Sequence, residues 1–124
     1  MSSSLFSVPQ DHLSLFKRKK PDYPNVVDFL HLKKEEVARA TGIALSSVRY
    51  DEKIPKDLAE VLFQWAVLFN RVAEYYEGDV YKTNLWFNIQ NPMLGNISPK
   101  DMIRLGRYKK LYNFVTQSIE ENKK

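Results

Sequence analysis

The amino-acid sequence predicts an all-α protein: a small helical bundle with an N-terminal helix-turn-helix-like half and a C-terminal helical half. Three observations carry this. From Val26 almost to the C-terminus apolar residues recur at helical spacing, and no segment alternates apolar and polar positions as a half-buried strand does. Glycine and proline punctuate the boundaries of these periodic segments. One segment, "VLFQWAVLF" (61–69), is apolar on nearly every side and needs covering by other helices.

Residues 1–25 are rich in Ser, Pro and charge, with scattered Leu5, Phe6, Leu13, Leu15 and Phe16, and read as a flexible arm with at most a helical turn over 10–17. "PNVVDFLHL" (24–32) is a short helix with His31 among its core positions. A second helix is stopped at Gly42, and Ile43-Ala44 lead into a third over 45–50 before "DEKIP" breaks the pattern; 26–55 is the helix-turn-helix-like region. Residues 56–124 form the C-terminal half. Its first helix, 56–78, runs roughly 30 Å if about 20 residues are helical. Between Glu60 and Arg71 its only polar residues are Gln64 and Asn70, so it is either a central core helix or offers Phe63, Trp65 or Phe69 to a second protein.

Asp79 caps a helix over 79–89. Asn91-Pro92 then forces the chain out of helical geometry, and Gly95-Asn96 completes a turn. Ser98 is placed as the next cap, Pro99 as first helical residue and Asp101 three residues after the cap. A final amphipathic helix (107–122) carries Tyr108, Leu111, Tyr112, Val115 and Ile119 on one face.

The 124 residues suit one compact domain or two small fused modules. Absence of cysteine removes disulfides and thiolate metal sites. No apolar run reaches the roughly 20 residues of a membrane span, and the N-terminus lacks a basic-then-apolar leader, so a cytoplasmic protein without membrane contact is expected. His12 and His31 are the only histidines and no nucleophile is spaced for them; the carboxylates are dispersed, and no glycine-rich loop could cradle phosphate. We therefore expect no enzyme, no catalytic or metal-ligating residue and no cofactor.

Net charge is +4, and the tightest cationic cluster is Lys17-Arg18-Lys19-Lys20. A solvated basic surface and a phosphate-binding one both account for it. In the helix-turn-helix-like region, small Ala38 and the Gly42 turn would let two helices cross, presenting Ser46, Ser47, Arg49 and Tyr50 outward. Ser46 and Ser47 could contact phosphates or base edges, and Arg49 a guanine or phosphate of operator DNA. Asp51 and Glu52 follow at once and would repel phosphate.

"LWFNIQNPMLGNISPKDMIRLG" (85–106) resembles the C-terminal toxin-binding domain of the Xre/MbcA/ParS family of antitoxins: Trp86, Asn91-Pro92, Leu94-Gly95, Ser98-Pro99 and Gly106 occupy the family's places. Asn96 stands where the family has a second glycine, and Ser98 replaces a commoner Thr. "DFLHLKKEEVARATGIALSSVR" (28–49) is similar to the family's N-terminal half. The resemblance implies an antitoxin of a type II system that binds and occludes a cognate toxin, commonly a RES-domain protein that consumes NAD, and represses its own promoter. It implies toxin contacts through Trp86, Asn91, Pro92, Leu94 and Gly95; Arg107, Tyr108 and Lys109 of the terminal helix are expected to reach towards the toxin. A homodimer, or a hetero-oligomer with the toxin, is expected. The alternatives are a stand-alone helix-turn-helix transcriptional regulator and a scaffold without DNA binding.

Overall fold

A computed structural model describes residues 8–122. A two-stranded antiparallel hairpin, β1 (Phe16–Lys17) and β2 (Lys20–Pro21), precedes six helices: α1 (Tyr23–Phe29), α2 (Lys34–Thr41), α3 (Lys56–Tyr75), α4 (Val80–Asn88), α5 (Pro99–Arg104) and α6 (Tyr108–Asn122). Single 3-10 turns lie at Leu45–Ser47 and Pro92–Leu94. The protein is thus all-α apart from the small hairpin, as predicted. No helix among the described residues is long and apolar enough to cross a membrane.

The central helix is α3. Leu58, Leu62, Trp65, Ala66, Leu68, Phe69, Val72 and Ala73 are buried on more than one side of it, and α1, α4, α6 and β2 surround it. Phe29, Phe69 and Phe87 bring α1, α3 and α4 together, with ring centroids 5.1, 5.9 and 5.0 Å apart. Trp65 and Phe69, offered by the sequence to a second protein, are 1% and 0% exposed and are consumed by this core. Only Phe63 keeps surface, and the ring of Phe16 lies edge-on to it at 6.0 Å. Residues of 26–55 and of 56–122 contribute to one continuous core.

The N-terminal segment departs from the expected flexible arm. Residues 1–7 lie outside the described part, but 8–22 are fastened to the bundle. Leu15 is buried in the core. Buried Asn70 accepts from the Leu13 amide at 3.1 Å and donates to Asp11 at 3.0 Å, while Asp11 accepts from the amides of Leu15 and Phe16. The polar residue inside the most apolar helix is the mooring of this segment. The hairpin that follows has a two-residue turn, with Arg18 and Lys19 at φ 51° and 69°, and Asp22 caps α1 by accepting from the Asn25 amide.

The expected helix over 24–32 ends at Phe29, and His31 leaves the core for an exposed left-handed position 3.7 Å from Asp28. The expected helix over 45–50 is replaced by the short 3-10 turn. Val48 is 3% exposed, and it reaches the core on extended backbone (φ −77°, ψ 108°), which ends the turn after three residues. The remaining caps form where the sequence places them. Gly42 (φ 75°) closes α2, Asp79 accepts from the Lys82 amide, and Ser98 accepts from the Asp101 amide.

Candidate docking surface

The corner at 91–97 is closed by its own hydrogen bonds. The Asn91 side chain accepts from the Met93 amide at 2.9 Å, and its backbone both donates to the Ile97 carbonyl and accepts from the Asn96 amide at 3.0 Å. Gly95 and Asn96 take φ of 80° and 65°; these left-handed values favour glycine and are tolerated by asparagine. Asp101 does not complete a capping box: its carboxylate accepts from Arg104 Nη1 at 2.6 Å.

On one side of this corner stands α4. Its inner face buries Thr83 and Phe87, and Asn84 donates to the Phe29 carbonyl at 3.0 Å. Its outer face carries Tyr81 and Leu85, four residues apart, at 75% and 43% exposure, and Ile89, just past its end on extended backbone, is 51% exposed. Met93, at the corner, is 76% exposed. Trp86 is half-buried, edge-on to Phe87 at 5.0 Å, and lines two grooves. One, of about 250 Å³, lies between Leu85, Ile89, Asn91, Pro92 and Tyr76; the other, of about 190 Å³, between Tyr75, Tyr76, Phe114 and Ile119. A third, of about 430 Å³, runs past Met93, Leu94, Met102, Arg107, Lys110 and Phe114.

The expected toxin-contact residues are therefore partly gathered. Trp86, Asn91, Pro92, Leu94, Gly95 and Arg107 ring the corner. Tyr108 does not reach outward as expected: its hydroxyl donates to the Gln64 carbonyl of α3 at 3.1 Å, and burial raises its pKa. Lys109 is exposed and lines none of these grooves. Tyr81, Leu85, Ile89 and Met93 were not singled out from the sequence. Their spacing was readable, but an apolar stripe is ordinarily a core face.

The residues expected to meet DNA do not share one helix face. Ser46 and Arg49 are exposed, Ser47 is half-buried, and the Tyr50 hydroxyl is turned inward, its pKa raised by burial. Arg49 is occupied: it donates to both oxygens of Asp51 at 2.7 and 2.6 Å, and this guanidinium holds the Asp51 carboxyl at about 2. The acidic residue that the sequence set against phosphate is thus the partner of the cation meant to bind it.

No protein-family model, curated protein or solved structure matches this chain.

Proposed function

We propose that this protein is a toxin-neutralising antitoxin that acts as a docking module, covering the active site of a partner toxin of the RES-domain, NAD-consuming kind with the surface built on α4 and the 91–97 corner. The supporting observation is the exposure of the apolar residues Tyr81, Leu85, Ile89 and Met93 on the end of α4 and a corner held by internal hydrogen bonds. Exposed apolar surface of this kind marks interaction sites, and a rigid surface loses little conformational freedom on binding. The cytoplasm is the compartment this reading implies. Operator binding through 46–50 would be a separate activity, in which Arg49 exchanges the Asp51 carboxylate for a phosphate.

The test is co-expression with the protein encoded beside it. That neighbour alone should arrest growth with loss of cellular NAD, and this chain should restore growth by forming a purifiable complex. Leu85→Gln with Ile89→Gln should abolish rescue and complex, while Arg49→Ala should leave both intact. A complex that survives the α4 substitutions, or a neighbour without toxicity, would sink the proposal.

A further inference from the structure

The basic run that the docking reading leaves unused is folded into the hairpin. Lys17 and Lys20 are directly paired across it and Arg18-Lys19 form its two-residue turn, with positive φ at both turn residues. Such turns favour Asn-Gly, and like charges directly opposite one another are unfavourable in a two-stranded ribbon. Stability alone would not select these four residues in this geometry. Local rules broken in this way point to a site whose charge is used.

All four cations are exposed. Lys17 lies 3.5 Å from Asp22; among the described residues, Arg18, Lys19 and Lys20 have no carboxylate partner. Phe16 seats the hairpin on Phe63 of α3, which leaves its turn pointing its charges to solvent.

We infer that the 17–20 hairpin is a contact surface for the phosphate backbone of duplex DNA. A narrow two-stranded ribbon fits the B-form major groove, whereas the deep, narrow major groove of A-form RNA excludes it. Single strands are held by aromatic stacking platforms, and the hairpin's one aromatic ring, Phe16, is spent on Phe63. Its tip offers no apolar side chain to a bilayer. Sequence-independent attraction to closely spaced phosphates is the chemistry that remains.

The experiment is fluorescence anisotropy of the full chain with a short labelled duplex of mixed sequence across a salt series. Wild type should bind with steep salt dependence. Arg18→Asn with Lys19→Gly, which supplies the favoured turn residues, should keep the fold by circular dichroism. It should also lower affinity roughly tenfold or more and flatten the log–log salt slope by about 2. Leu85→Gln with Ile89→Gln should leave affinity unchanged, which separates this surface from the docking face. Unchanged affinity in the folded hairpin variant would overturn the inference. So would tighter binding to single-stranded RNA or to phosphatidylserine vesicles than to the duplex.

Discussion

Glu36 and Arg104, 68 positions apart, meet at 2.7 Å and tie α2 to α5. Glu36 serves two partners: one carboxylate oxygen accepts from the Lys33 amide at the start of α2, the other from Arg104. The Lys33 amide is the main cause that lowers the Glu36 pKa below its ordinary 4.5; Arg104 adds to it and partial burial opposes it. A lowered carboxyl pKa stabilises the fold above the unfolded value, and that contribution disappears as pH falls through the folded one. Arg104→Ala should cost about 1 kcal/mol at neutral pH, since solvent screens the partly exposed pair. Urea titrations should show this cost shrinking as pH drops below 4.5. A pH-independent difference would mean that Arg104 acts through packing alone.

Asn70 should matter more than its small size suggests. It is fully buried and joins α3 to the Leu13 amide and the Asp11 carboxylate. Asn70→Ala leaves the Leu13 amide without its acceptor and takes one of three donors from Asp11, which keeps the Leu15 and Phe16 amides. The loss should be roughly 1 to 3 kcal/mol. Limited proteolysis should then cut within residues 8–22 before any other part of the chain. Uniform cleavage would show that the segment has no local opening of its own.

Most of the helical architecture was legible in the sequence because its signals are local. Gly42, Asp79, Ser98-Pro99 and Gly95-Asn96 each act within a turn of where they stand, so their spacing announces the boundary. The mooring of 8–22 was not legible, because the Asn70–Asp11 bond spans 59 residues and Asn70 alone gives no hint of its partner. The 3-10 turn at 45–47 was missed because burial of Val48, a tertiary demand, overrides helical propensity in so short a segment. For the docking surface, the sequence displayed the apolar spacing of Tyr81, Leu85 and Ile89. It could not say that Thr83 and Phe87 face the core instead.

Gly78 and Gly95 have nearly the same backbone, φ 83° and 80°, in different surroundings. A methyl group on Gly95 meets nothing within 4 Å, so Gly95→Ala should cost only the left-handed strain, roughly 1 to 2 kcal/mol. At Gly78 the same group would stand 2.9 Å from His12 Nδ1, and the ring must move. Gly78→Ala should therefore be the more destabilising change in thermal melts. Adding His12→Ala to both variants should remove the difference. If it persists, the His12 contact is not its source.

The hairpin turn gives a prediction of opposite sign. Arg18 and Lys19 hold φ of 51° and 69°, where each side chain crowds its own backbone. Asn-Gly takes the same turn with little strain, because asparagine tolerates left-handed geometry and glycine has no Cβ. Part of that gain is returned in the unfolded chain, where glycine has more freedom to lose. Removing two cations beside Lys17 and Lys20 also relieves repulsion at the tip. The net result for Arg18→Asn with Lys19→Gly should be a stabilisation of about 1 kcal/mol, a melting temperature higher by about 4 °C. The repulsive share should diminish with added salt and the backbone share should not, so melts at low and high salt separate the two. A fold that gains stability while losing affinity for duplex DNA is what a tip carrying charge for a ligand requires. A loss of stability would mean that Arg18 and Lys19 hold the hairpin together, and their charge would need no further use.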